Sequence, residues 1–121
     1  MSELYDNLVL EDRIENRAII ECQVPVGVNC RFVKNSQEFR SLLIGGDRAR
    51  NYFLDDQVPD LGGKLEFQFT AHYRFLRGHD SDGKIFYIGS DVNEATRLFC
   101  EENDIVIVNR KEMRKAFLDN Y

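Results

Sequence analysis

Tryptophan is absent from this 121-residue chain, and proline (two), methionine (two), histidine (two) and cysteine (three) are all scarce. So few prolines, with only eight glycines, exclude a collagen-like or low-complexity chain. The three cysteines, Cys22, Cys30 and Cys100, are odd in number, show no CxxC spacing and sit among apolar neighbours, which argues against a disulfide framework or a zinc knuckle and for buried reduced thiols. No apolar run approaches the roughly 20 residues that cross a bilayer, and Met1 to Glu15 carry acids where a secretory leader carries basic and then apolar residues, so the expected setting is soluble and cytoplasmic, with no membrane partner. Basic residues are outnumbered 16 to 21, giving a formal net charge of −5, and this argues against wholesale phosphate neutralisation of the kind that drives nonspecific nucleic-acid binding.

What is present is a 43% hydrophobic share, enough to offset the ordering entropy of one compact domain. Eleven of the sixteen basic residues are arginine, the side chain suited to planar, bidentate contacts. The expected organisation is an N-terminal helix or mobile arm over residues 1–16, then one α+β domain over 17–121. Arg17 to Val24 alternate as a strand, Val28 to Val33 form a second short strand, and the two together make a hairpin or one bulged strand. Asn35 and Glu38 form a capping box for a helix from Ser36 to Ile44 that buries Phe39, Leu42 and Leu43 and ends at Gly45-Gly46. Asp47 to Leu54 read as a further helical turn, and 55–63 as the longest loop.

Lys64 to Phe75 give the cleanest alternation, with Leu65, Phe67, Phe69, Ala71, Tyr73 and Phe75 on one face and Lys64, Glu66, Gln68, Thr70, His72 and Arg74 on the other. That pattern predicts an antiparallel strand wetted on one side, paired through the turn 78–83 with Lys84 to Gly89 as a long hairpin. Asp91 and Glu94 would cap a helix through Asn103 that buries Ala95, Leu98 and Phe99. Ile105 to Val108 read as a strand covered on both faces, and Asn109 with Glu112 as the start of a last helix with Met113, Ala116 and Phe117 inward. The resulting order, α-β-β-α-β-β-α-β-α, is an α+β domain around a mixed or largely antiparallel sheet, without internal repeats.

Three chemistries compete on these residues. Pro59-Asp60 followed by Glu66-Phe67-Gln68 resembles the PD-(D/E)xK pattern of restriction-type nucleases, which implies a catalytic set of Asp60, Glu66 and Gln68, with Asp60 and Glu66 holding Mg²⁺ that activates water against a phosphodiester. The match spans ten residues and departs from the pattern where Gln68 stands for the usual lysine. Lys64, Glu66, His72 and Arg74 on the wet face, with Arg77, instead suit a binding surface for another protein or a second copy of the chain. Arg74, Arg77 and Lys84, joined by Arg48 and Arg50, would make a local basic patch for nucleic acid. The segment Lys84 to Phe117 is similar to the closing half of several α/β families, including the Mrr-type nucleases and the kink-turn-binding ribosomal proteins, and no functional residue is carried over from them. If its strands are parallel neighbours, Ser90, Asp91 and Asn109 gather in a cleft at the strand ends. Asp80-Ser81-Asp82-Gly83 lacks the ligand spacing of a calcium loop, and no phosphate-cradling glycine motif is present, so both are read as turns. With no convincing catalytic cluster, the leading expectation is a small non-catalytic protein that binds another macromolecule, a protein or itself, without a cofactor.

Overall fold

The computed structural model describes residues 2–55, 58, 68–89 and 92–119. Five strands, β1 (Leu4–Leu10), β2 (Cys30–Val33), β3 (Arg48–Asp55), β4 (Lys84–Ile88) and β5 (Val106–Val108), alternate with α1 (Ile14–Glu21), α2 (Ser36–Ile44), α3 (Gln68–His79), α4 (Glu94–Glu102) and α5 (Arg114–Asp119). They form one sheet in the order β2-β1-β3-β4-β5. Every pairing in it is parallel. This is the doubly wound α/β arrangement with the flavodoxin-like strand order.

The expected mixed or antiparallel α+β sheet with a long hairpin over 64–90 is therefore corrected. Strand order and direction follow from burial on both faces. Leu8, Leu10, Tyr52, Leu54, Ile85 and Tyr87 pack with Phe39 and Leu43 of α2, Phe69 and Leu76 of α3 and Cys100 of α4 on one side. Val9, Phe53, Phe86 and Ile88 point the other way onto Ile20 of α1 and Met113 and Phe117 of α5. The rings of Phe53 and Phe86 stack at 4.4 Å, with Phe117 5.0 Å from Phe53. A strand covered twice loses its polar alternation, and each fully buried large apolar side chain contributes about 1.5–3 kcal/mol.

Individual elements divide accordingly. Helix α2 matches its expected bounds, with the Asn35 carboxamide accepting from the Glu38 N–H at 2.8 Å and Gly46 taking a positive φ of 95° just beyond the helix. Residues 4–10, expected as helix or arm, are β1, and Arg17 to Val24, expected as a strand, lie largely in α1. Asp47 to Leu54 are strand rather than helical turn. The run expected as the wet-faced strand becomes helix α3 from Gln68. Its buried residues Phe69, His72 and Leu76 follow a spacing of three and four. His72 is fully buried, edge-on to Phe39 at 5.7 Å, so it belongs to the core, whereas Arg74 of the same expected wet face is exposed. Counting His72 as polar hid the helical period.

Helix α4 is capped by Asn93, whose side chain accepts from the Thr96 N–H at 2.8 Å. The expected cap Asp91 lies outside the described residues. Leu98 is half-exposed rather than buried, and β5 is an edge strand with Val106 open to solvent, not a strand covered on both faces. Asn109 does cap the segment that follows, a 3-10 turn over Arg110–Glu112 leading to α5, with Met113 and Phe117 buried. Of the thiols only Cys100 is buried, Cys30 is half-buried, and Cys22 is exposed.

Candidate functional site at the carboxyl edge of the sheet

Connections leave β1 toward β2 on one side and leave β3 toward β4 on the other, so the chain reverses direction between β1 and β3. In open α/β sheets this point, at the carboxyl ends of the strands, leaves the crevice in which ligands bind. Glu11 and Asp12 directly follow β1, and Asp55 is the last residue of β3.

The β1/β3 register pairs Val9 with Phe53 and Leu10 with Leu54, and its next step sets Glu11 beside Asp55. The Glu11 N–H still bonds the Val33 carbonyl at 3.0 Å, which holds the residue in line with the sheet. Because side chains alternate along a strand, Glu11 and Asp55 share the face of Val9 and Phe53, the face covered by α1 and α5. Both carboxyl groups are 0% exposed. Two steps back, the same face carries the buried pair Asn7 and Asn51, joined by an Asn51 Nδ2 to Asn7 Oδ1 hydrogen bond of 3.1 Å.

Beyond β5 the 3-10 turn delivers Arg110 into this crevice. Its Nη2 donates to Asp55 Oδ2 at 2.7 Å, and its Nε lies 3.5 Å from Glu11 Oε1. Neither Glu11 oxygen has a hydrogen-bond partner of good geometry among the described residues. Burial, and then the neighbouring Asp55 carboxylate, push the Glu11 carboxyl well above the usual range, while Asn16 and the Arg110 guanidinium pull in the opposite direction. The cluster thus combines two buried acids with one guanidinium. One positive charge neutralises one carboxylate, and a proton is the cheapest neutraliser of the second.

A second contact fixes the turn from below. The Gln23 carboxamide, just past α1, donates to the Ile19 and Arg110 carbonyls at 2.9 and 2.7 Å. Its oxygen accepts from the N–H groups of Met113 and Arg114 at 2.6 and 3.3 Å. One side chain therefore ties α1 to the segment that carries Arg110 and to the start of α5. A small cavity of about 210 Å³ opens beside the cluster, lined by Ile88, Gly89, Asn109, Arg110 and Lys111.

The residues singled out from the sequence are dispersed. Asp60, Lys64 and Glu66 lie outside the described residues, as do Ser90 and Asp91. Gln68, expected beside the Asp60–Glu66 metal pair as a third catalytic residue on a strand, instead begins helix α3. Arg74 is exposed on α3, whereas Arg77 donates to the Gly83 and Asp80 carbonyls at 2.8 and 3.2 Å at the opposite edge of the sheet. There Arg48 and Arg50 join His79 and the 80–83 turn around a cleft of about 530 Å³. Asn109 does reach the carboxyl edge beside Gly89, since β4 and β5 are parallel neighbours. Among the described residues no group of three or more His, Cys, Asp or Glu side chains is placed to hold a metal ion.

Glu11, Asp55 and Arg110 were not singled out. Their signal lies in three apolar runs that each stop at charge: Leu8-Val9-Leu10 before Glu11-Asp12, Tyr52-Phe53-Leu54 before Asp55-Asp56, and Val106-Ile107-Val108 before Asn109-Arg110-Lys111. Such runs mark parallel strands whose carboxyl ends open on one site. Comparison with known protein families, with characterised proteins and with solved structures finds no match to this chain.

Proposed function

We propose that this protein is a small, soluble, cytoplasmic, non-catalytic module that binds another macromolecule, a protein or a second copy of itself. One observation carries this reading: the crevice in which a doubly wound domain takes its small ligand is occupied by the chain's own Arg110, clamped on Asp55 and facing Glu11. A site closed by an internal ion pair suits a domain that works through its surface. The no-membrane expectation fits the absence, among the described residues, of any helix long and apolar enough to span a bilayer.

Light scattering across a concentration series, combined with chemical cross-linking, tests the reading. The expected result is a concentration-dependent dimer or a defined complex, with no cleavage of labelled DNA or RNA in Mg²⁺. Metal-dependent cleavage abolished by Glu66→Ala would replace it with the nuclease reading. Salt-sensitive nucleic-acid binding weakened by Arg74→Ala, without cleavage, would replace it with the basic-patch reading.

The position of Asp55 favours one second reading, a carboxylate that accepts a phosphoryl group and reports the modification to a partner. Asp55 ends the central strand at the switch point with a guanidinium 2.7 Å away. In that chemistry a carboxylate oxygen attacks the donor's phosphorus, the donor's leaving group departs with its electron pair, and an acyl phosphate remains that Arg110 can neutralise. Intact-mass measurement after incubation with a small acyl phosphate should show one added phosphoryl group, lost in Asp55→Asn. An unchanged mass removes this reading.

A further inference from the structure

Three facts meet at the carboxyl edge. Glu11 and Asp55 are set side by side by strand register, both fully buried, with the Arg110 guanidinium the one cation paired with them among the described residues. The turn that carries that guanidinium is partly open to solvent, Arg110 itself being 26% exposed. Gln23 fastens this turn to α1 through the Arg110 carbonyl and to α5 through the Met113 and Arg114 N–H groups.

We infer that Glu11, Asp55 and Arg110 form a one-proton latch: the closed cluster keeps a single proton on the two carboxyl groups, and lifting the Arg110 turn from the sheet edge releases it. When the turn is seated, Arg110 neutralises Asp55, and a second ionised carboxylate at Glu11 would leave a buried net charge offset only by Asn16 and by the guanidinium already engaged with Asp55. When the turn lifts, water reaches Glu11, its carboxyl ionises with an ordinary affinity, and the proton passes to solvent. Opening is therefore favoured as pH rises. This device goes beyond the binding reading and stands on the packing of the cluster whatever the partner is.

The groups that face Glu11 among the described residues support the count of charges. Helix α1 supplies Asn16 and, to the Glu11 carbonyl, Arg17 Nη1 at 2.9 Å. Strand β3 supplies Asp55, the 3-10 turn supplies Arg110, and Asp12 follows along the chain, half-buried. Arg17 is directed to backbone, so Arg110 is the cation shared by the two side chains. The Glu11 carboxyl is held at about 8, against an ordinary value near 4.5.

The test is a ¹³C-carboxyl NMR titration of the full chain, with amide hydrogen exchange read at Met113 and Arg114. The Glu11 carboxyl is expected to titrate at least about two units above an ordinary glutamate, and Asp55→Asn to lower its midpoint by about one unit or more, since the like charge is gone and no longer competes for Arg110. The opening constant of the Met113 and Arg114 amides, corrected for intrinsic exchange, should rise by up to about tenfold per pH unit between the ordinary and the raised value, as one released proton requires. In Glu11→Gln that slope should vanish. A Glu11 midpoint within about one unit of an ordinary glutamate overturns the latch. So does a midpoint indifferent to Asp55→Asn, or exchange with the same pH slope in wild type and Glu11→Gln. If Glu11→Gln does not fold, the wild-type titration and Asp55→Asn decide by themselves.

Discussion

The two edges of the sheet each hold a carboxyl group at least partly out of water, Glu11 fully and Asp80 in part, and they treat it in opposite ways. At the amino edge, Asp80 accepts the Tyr52 hydroxyl at 2.6 Å and the N–H groups of Asp82 and Gly83 at 2.9 and 3.1 Å. Burial alone would raise its affinity for a proton, but these three donors outweigh burial and hold Asp80 below the ordinary carboxyl range. At the carboxyl edge, Glu11 has no hydrogen-bond donor of good geometry and a second acid as neighbour, so burial and Asp55 act together and raise it. Asp80 is both shallower and better supplied with donors than Glu11. The amino edge is finished by its own backbone, whereas the carboxyl edge depends on a side chain arriving from the far end of the chain. An edge of the second kind can respond to what reaches it.

Removing the borrowed cation should break the comparison most severely. Arg110→Ala strips the guanidinium from two buried carboxyl groups and is expected to cost about 3–5 kcal/mol at neutral pH by urea unfolding. At the amino edge, Gly83→Ala drives a Cβ into the Tyr52 ring and to 3.0 Å from the Ala49 carbonyl. Tyr52 is fully buried and its oxygen also accepts the Ala49 N–H at 2.8 Å, so the ring cannot yield cheaply. Destabilisation of about 1–3 kcal/mol follows, and it should be nearly constant between pH 5 and 8. A strongly pH-dependent Gly83→Ala would erase the distinction between the edges.

The two acids also give stability slopes of opposite sign. Glu11 is raised in the folded state, so its contribution is fully present below the ordinary value near 4.5 and is lost as pH climbs toward about 8. Asp80 is lowered, so its contribution is present above the ordinary value near 3.8 and is lost as pH falls below it. Thermal melts across pH should show wild type losing stability between about pH 5 and 8 and Glu11→Gln staying flat there, the two curves diverging by up to about 1.4 kcal/mol per pH unit, as one proton bound only in the folded state requires. The smallest effect is expected from Arg74→Ala on the exposed face of α3, under about 0.5 kcal/mol at any pH. A larger loss would show that α3 takes part in an interface.

Much of the local structure was legible because it depends on neighbours in sequence. Asn35 and Glu38 start α2, Asn109 caps the last helical segment, and Lys84 to Ile88 are a strand, each as its own residues indicate. The misreadings have a common cause. Alternation in 64–75 suggested a half-wet strand because His72 was counted as polar, but an imidazole turned edge-on to Phe39 packs as part of an apolar stripe. Residues 4–10 suggested a helix or arm because Asp6 and Asn7 interrupt the apolar run. In the fold Asp6 accepts the Asn29 N–H and Asn7 the Asn51 carboxamide.

The sequence by itself determined the Asn35 and Asn109 caps, the glycine stop after α2, and which short stretches are apolar enough to be buried. Tertiary structure alone decided that β1 and β3 lie side by side, in a register that sets Glu11 against Asp55, and that Arg110 comes from 55 residues away to face them both. The reason is physical. Capping and turn preferences are fixed within a few bonds, whereas the protonation of a carboxyl group depends on the dielectric and the charges within about 4–6 Å of it, and only folding chooses those neighbours.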